Sequence, residues 1–561
     1  MRIGIIITLL LVGLTAFAAS AAGGDRDVDA RFTQPADAVA AYDFVEVRID
    51  LPASPARKPF TDVTVRGQFR PNDGNGAALD VDGFCDAADG RVHRVRFMPT
   101  RAGDYAYTVT ARAGNGAEQT HTGTFSATDA RRRGLVRVDP HHPYHFVWGG
   151  TGEHYFYNGT TTYWLLGWDD ETMLRSIDRL ADLKVNRLRV AICGRVKDGR
   201  AWFENVFPTE KFTFLLNPWL AQRPQSVEDP GFDVTRFNVS HWQKIERLLK
   251  HARERDVVVS IIFYVDGARP GVEPFKTERA GGDDEQRYYR YAAARLAPFS
   301  NVMWDVTNEY RLFRDDAWAE KMGAFLKKCD PYDHLISVHG HGDYRFRTSR
   351  WSDFAMYQAW DEGGGHGFML HNRREQEKTG RRVPQVNEEY GYEDHYPKGW
   401  GDNKVAPARA ADNRRRLAWG MYMAGGYQTT GERADTGTGW GKDTGGGWIN
   451  GRGDQSMTML RGYGRIVDFF HAFEWWRADP HDELVTGVDG AMCLAECGSQ
   501  YAVYLRAGGA ATLKLDGGPY RARRYNPRTG EWHDLPDAAG PSWTSPALPT
   551  DGDYAILLQR R

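Results

Sequence analysis

The chain has 561 residues, 41% hydrophobic and 26% charged, and its 72 Lys and Arg nearly balance 74 Asp and Glu for a formal net charge of −2. That balance gives no electrostatic reason to bind nucleic acid or a membrane surface, and it points to a neutral or weakly charged substrate. The length allows about three to four domains, and 18 Trp within a 13% aromatic content supply flat apolar faces that suit sugar rings as well as cores.

In chain order, Arg2 precedes a largely apolar run over 3–17 and the small residues Ala18-Ala19-Ser20-Ala21-Ala22. This charged, apolar, small-residue order is that of a secretory signal, assigned to 1–22 with cleavage between 18 and 24, so the expected location is secreted or periplasmic. The run falls short of the about 20 residues that span a bilayer, and no later segment of that length is apolar, so no membrane insertion is expected. Cys85, Cys193, Cys329, Cys493 and Cys497 are dispersed and odd in number. Only Cys493 and Cys497 are near enough in sequence to pair locally; small buried apolar residues are the favoured reading, and the spacing of a zinc site is missing.

Residues 41–130 carry short alternating stretches, such as Phe44-Val45-Glu46-Val47-Arg48-Ile49 and Val92-His93-Arg94-Val95-Arg96-Phe97, broken by Gly, Pro, Asn and Asp. That pattern predicts a small antiparallel sandwich, followed by a linker at Arg131-Arg132-Arg133-Gly134. From 143 to 479 strand and helix signals alternate. Asp169 and Asp170 can cap a helix with Leu174, Ile177, Leu180 and Ala181 on one face, and a second helix carries Trp242, Ile245, Leu248, Leu249 and Ala252. Strand patterns at 157–164, 187–192, 257–264, 302–304, 335–338, 354–357, 383–386 and 426–429 make eight, and the run at 257–264 is apolar enough to be covered on both faces. The predicted fold class is α/β, a (β/α)8 TIM barrel, since an open doubly wound sheet would want a Gly-rich phosphate turn. Residues 480–561 read as a second small sandwich, so the barrel is flanked by two β-sandwich domains.

Glu309, in Trp304-Asp305-Val306-Thr307-Asn308-Glu309, and Glu389, in Pro384-Gln385-Val386-Asn387-Glu388-Glu389-Tyr390-Gly391, each follow a short apolar strand pattern. They lie 80 residues apart, three strand-helix units of about 27 residues, close to the roughly 31 per unit of a ~250-residue barrel. That spacing places them at the C-terminal ends of the fourth and seventh strands, where barrels carry their chemistry. Two carboxylates about 5–5.5 Å apart are what retaining hydrolysis of a glycosidic bond requires. Glu389 is the candidate nucleophile and Glu309 the candidate acid and base, whose pKa would need to be raised by burial and by its neighbour. Glu388 competes with Glu389; in a regular strand the two side chains point to opposite faces.

Asn-Glu at the fourth strand and Glu-Tyr-Gly at the seventh resemble the retaining glycoside hydrolases of clan A. Glu389-Tyr390-Gly391-Tyr392-Glu393 resembles the Glu-Pro-x-Tyr-Glu of the apiosidase-like family, departing at Tyr390, and Asn158-Gly159-Thr160-Thr161-Thr162-Tyr163-Trp164-Leu165 is similar to that family's first strand. Gly83-Phe84, Arg96-Phe97-Met98-Pro99 and Gly103-Asp104-Tyr105 resemble the immunoglobulin-like domain of unknown function that often precedes such barrels. Tyr525-Asn526-Pro527-Arg528-Thr529-Gly530-Glu531 resembles a tail domain family named for collagen binding. The resemblance implies a secreted glycoside hydrolase that acts on a poly- or oligosaccharide with neither metal nor organic cofactor. The competing reading is a secreted carbohydrate- or matrix-binding protein with an inactive barrel.

Further candidates surround the pair. Asn308 is placed to bond the sugar 2-hydroxyl, Arg189 to orient the nucleophile, Tyr357 to donate its hydroxyl to Glu389, and Glu393 and Trp304 to contact substrate. His339 and His341 form a His-x-His after the fifth strand; it suits sugar contact, with a metal-dependent hydrolase as the rival reading. Trp440 and Trp448, in the Gly-rich segment 431–454, are candidates for a sugar-stacking wall, and Trp202, Phe203, Phe207 and Trp219 for further subsites. Asn158 and Asn238 head glycosylation-like triplets.

Overall fold

The computed structural model describes residues 30–34, 36–51, 58–114, 116–196, 210–393, 409–432, 451–452 and 457–561. The signal-like segment, Trp202, Phe203, Phe207, Trp440 and Trp448 lie outside the described residues.

The centre is a parallel eight-stranded sheet of β1 (Asn158–Thr161), β2 (Arg187–Ala191), β3 (Val258–Ile262), β4 (Val302–Asp305), β5 (Ile336–Ser337), β6 (Ala355–Gln358), β7 (Gln385–Glu389) and β8 (Tyr427–Thr430). Its order runs β5-β4-β3-β2-β1-β8-β7-β6. A parallel bridge between His341 and Gln358 joins β5's end to β6 and closes the barrel expected from the sequence. β2 and β3 are buried on both faces; β3 accordingly reads as a nearly continuous apolar run, whereas β2 carries Arg187 and Arg189 into the barrel.

Around the barrel, among the described residues, pack α1 (Asp170–Asp182), α2 (Val239–Glu254), α3 (Asp283–Leu296), α4 (Asp316–Cys329), α5 (His366–Glu377), α6 (Ala411–Met423) and α7 (Thr458–Phe470). Asp169 caps α1 by accepting from the Thr172 N–H at 2.8 Å. The apolar stripe of α2 is buried: Trp242, Ile245, Leu248, Leu249 and Ala252 are all fully covered. No helix lies between β5 and β6, where 338–354 runs as turns and extended chain. The 80-residue interval therefore contains one unit without its helix, and α4 and α5 are the two that remain.

Three β elements frame the barrel. The N-terminal sheets, of four and five strands, face each other through a parallel stack of Phe69 on Phe97 at 4.5 Å. A three-stranded antiparallel sheet (Val136–Val138, Phe146–Trp148, His154–Tyr155) follows. The C-terminal sheets have six and three strands and share a core that includes Tyr501 and Leu513.

Buried ion pairs fix the flanks to the barrel. Arg96 donates to Glu246 on α2 at 2.7 Å, and Arg295 on α3 donates to Asp86 at 2.6 Å. At the other end Arg415 on α6 donates to Asp553 at 2.6 Å. Among the described residues no helix is long and apolar enough to cross a membrane. All five cysteines are free thiols, Cys493 buried and Cys497 exposed. Asn158 is buried in β1.

Candidate active site

Glu309 and Glu389 both face the mouth formed by the C-terminal strand ends. Glu309 follows β4 in the left-handed region, with φ 45° and ψ 49°. A residue with a Cβ holds that conformation at a cost of about 1–2 kcal/mol. Here the backbone gains a specific bond: the Glu309 N–H donates to His339 Nδ1 at 3.3 Å.

Glu389 arrives by a β-bulge. Tyr357 pairs with Asn387 and Gln358 with Glu389, so Glu388 is skipped in the register. The bulge breaks the alternation that would send Glu388 and Glu389 to opposite faces. Glu388 points into the barrel, fully buried, accepting from Arg187 Nη1 at 2.6 Å and the Tyr157 hydroxyl at 2.8 Å. Glu389, turned toward the mouth, meets the Tyr163 hydroxyl at 3.2 Å.

Tyr163 is the hub. Its oxygen also lies 3.3 Å from Asn308 Oδ1 and 3.1 Å from the Tyr392 hydroxyl, and it accepts from Arg189 Nη1 at 3.3 Å. Asn308 Nδ2 donates to Glu309 Oε2 at 3.3 Å, so two side chains link the carboxylates. Arg189 braces this link, donating to Asn308 at 2.9 Å and Asp305 at 3.0 Å; it reaches Glu389 only through Tyr163.

His339 lies between the glutamates. Because Nδ1 accepts from Glu309, its hydrogen resides on Nε2, which is 3.9 Å from Glu389 Oε2. Burial holds this imidazole neutral, its pKa well below the ordinary histidine value. His341 Nε2 lies 3.2 Å from Glu309 Oε1, to which Gln358 Nε2 also donates at 3.0 Å. The hydrogen bond to Glu309 raises the His341 pKa.

Burial and the field of Glu309 push Glu389 up to about 8. Burial pushes Glu309 up as well, but the bonds from His341 and Gln358 outweigh it and hold Glu309 below the usual glutamate value. The expectation of a raised Glu309 is therefore corrected: Glu389 is the carboxyl of the pair that is pushed up. The physical reason is that Glu309 has two donors aimed at one oxygen.

Other candidates are placed differently from the expectation. Tyr357 donates to Gln385 and accepts from Arg347, away from Glu389. Trp304 faces the helix layer, fully buried, its indole N–H donating to Asp330 at 2.8 Å. Trp219 is likewise core, its ring 4.4 Å from Tyr288. Glu393 is buried beyond β7, its N–H donating to the Gly431 carbonyl. Tyr163, Tyr392 and Gln358 went unassigned in the sequence although each stands beside a residue singled out there. Trp360, after β6, is partly exposed with its ring 6.4 Å from Tyr392. Asp266, after β3, is pushed up to about 6 by burial, with Glu309 adding to the rise. Among the described residues no three His, Cys, Asp or Glu side chains converge to hold an ion. Both His339 and His341 instead spend a ring nitrogen on Glu309.

Residues 211–431 match the sequence profile of the apiosidase-like catalytic domain, and residues 38–112 match a domain of unknown function (DUF5060). The protein is a glycoside hydrolase. The second match covers all but the first and last strands of the N-terminal sheets, Arg31–Thr33 and Gln119–Thr128. A provisionally assigned glycoside hydrolase from Bacteroides vulgatus ATCC 8482 superposes on this hydrolase with a TM-score of 0.72 at 18% identity, covering 94% of this chain and 100% of its own. A family 5 glycoside hydrolase from the same organism gives a TM-score of 0.58 at 14% identity, covering 76% of this chain and 93% of its own. At such identities the likeness is one of fold. No curated protein matches the sequence.

Proposed function

We propose that this hydrolase is exported and cleaves O-glycosidic bonds of a poly- or oligosaccharide with retention. Glu389 attacks the anomeric carbon while Glu309 protonates the departing oxygen, and Glu309 then takes a proton from the water that releases the sugar from Glu389. The observation that carries this reading is the link Glu309, Asn308, Tyr163, Glu389, flanked by the single imidazole of His339. Retention needs two carboxylates close to each other, and the bonds through Asn308 and Tyr163 that join Glu309 to Glu389 support this reading. For that step the one proton of the pair passes from Glu389, the carboxyl with the raised pKa, to Glu309, which delivers it to the departing oxygen, and the positive charge developing at the anomeric carbon favours Glu389 as the anion. Asn308 meets the 2-hydroxyl of the sugar, and Trp360 offers its ring as a platform.

A second reading reverses the two roles, and the resting proton on Glu389 favours it. One experiment separates them. Reducing-sugar release is measured for wild type and Glu389→Ala over plant, algal and microbial polysaccharides and aryl glycosides. The 2-deoxy-2-fluoro form of the best substrate is then used to trap the glycosyl-enzyme, and peptide mass spectrometry locates the label. A label on Glu389 supports the first assignment, a label on Glu309 the reversed one. Activity without any trapped intermediate would argue against retention, and no release from any sugar would favour the carbohydrate-binding reading.

A further inference from the structure

The barrel end opposite the catalytic mouth carries a cleft of about 780 Å³, inside the ~300–1,000 Å³ range of small-molecule sites. Three parts of the chain build it: the antiparallel sheet that precedes β1, the segment 471–476 after α7, and the C-terminal six-stranded sheet. Behind its wall Trp148, Tyr155, Phe156 and Trp475 are buried and hold the wall rigid. Beside them the His154 ring lies parallel to the partly exposed Trp476 indole at 3.8 Å and 6°. Trp476 also lines an adjoining cleft of about 320 Å³, so one indole stands between two cavities.

The rim is polar without a dominant charge. Arg133 and Arg560 face Glu153, Asp256 and Glu474. Arg133 is taken up by Glu153 at 3.2 Å and Asp256 at 3.4 Å. Burial lowers the pKa of both His154 and His471, which leaves their rings neutral at pH 7. Nothing here selects an anion or a cation.

A partly exposed indole, Trp476, beside a hydrogen-bonding rim matches a neutral sugar, whose C–H faces are apolar and whose edge is hydroxylated. We propose that this cleft is a second carbohydrate site that holds a neutral oligosaccharide segment away from the catalytic glutamates. Its lining includes Asn186 and Asp256, which precede β2 and β3, whereas Glu309 and Glu389 lie where β4 and β7 end. The two sites are separated by the length of the barrel strands, so a sugar in the cleft is not hydrolysed there. Its effect is to retain a long substrate and raise the local concentration of chain at the mouth.

The test uses the full-length protein with Glu389→Ala to silence turnover, titrated calorimetrically with cellohexaose, xylohexaose and mannohexaose. Trp476→Ala removes the indole, and Ser499→Trp independently fills the cleft from the C-terminal sheet. The expected result is that at least one hexasaccharide binds at two sites, and that each cleft variant removes one of them or weakens it at least tenfold. In the active background, turnover of a small aryl glycoside stays unchanged while the half-saturating polysaccharide concentration rises several-fold. A circular dichroism spectrum and melting temperature like the parent's for either variant suffice to read the result. Binding unchanged in a folded cleft variant, or no binding by any hexasaccharide, overturns the proposal. Aryl glycoside turnover reports the catalytic pair separately, so failure of the cleft and failure of the proposed mechanism give different results.

Discussion

The Tyr163 hydroxyl has one hydrogen and two acceptors, Glu389 and Asn308, so it couples the candidate nucleophile to the loop that carries Glu309. A hydrogen bond to a charged group contributes about 1.5–3 kcal/mol, and Tyr163→Phe is expected to lower kcat about 10- to 100-fold with little change in KM. Steady-state kinetics on the best substrate check this. The proton of the pair is lost as pH rises through about 8, so kcat/KM falls on the alkaline side. His341 stabilises the ionised pair; His341→Ala therefore moves that alkaline limb to higher pH, and a limb left in place would remove His341 from the coupling. Stability follows the same group. Glu389 is raised in the folded state, so its contribution is fully present below the ordinary glutamate pKa and is lost as pH rises through about 8. Glu389→Gln relieves the buried charge and is expected to raise Tm by about 1–2 °C at pH 8, roughly 1 kcal/mol in a domain of this size. The gain should vanish at pH 4.

At the scale of elements, β7 does two jobs through one bulge. Glu388 ties β7 to Arg187 on β2 inside the barrel, and Glu389 is turned out to the mouth. Arg187 and Glu388 are both fully buried, so removing one partner strands a charge and costs about 3–5 kcal/mol. Arg187→Met is expected to lose about that much in urea unfolding, and Arg187→Met with Glu388→Gln together to recover part of it. A double variant no more stable than Arg187→Met would argue against the pair. A strand such as β3 was legible because it is a short, mostly apolar run between breakers. The bulge was not, since Asn387-Glu388-Glu389 reads equally well as a regular strand. Nor was the missing helix between β5 and β6. Tyr357 was a reasonable partner for Glu389 by position, but its side chain meets Gln385, and the hydroxyl that reaches Glu389 comes from Tyr163, 226 residues earlier.

Over the whole molecule, the N-terminal sheets are held to α2 and α3 by Arg96, Asp86, Glu246 and Arg295. Burial pushes Asp86 up, but Arg295 and Arg94 outweigh it and hold the carboxyl below its ordinary value. Its stabilisation is present above the ordinary aspartate pKa and lost as pH falls through the lower folded one. Arg295→Met leaves Asp86 and Glu246 without a shared cation, and an early, separate unfolding of the N-terminal sheets is expected by calorimetry. Determined by sequence alone were the barrel, its eight strand positions and the residue types at the two strand ends, because periodicity and punctuation act locally. The tertiary structure decided which hydroxyl reaches Glu389, which carboxyl of the pair burial pushes up, and that the candidates Trp304 and Trp219 are core. Those depend on side chains brought together from distant strands and on burial, and neither is a property of a local window of sequence.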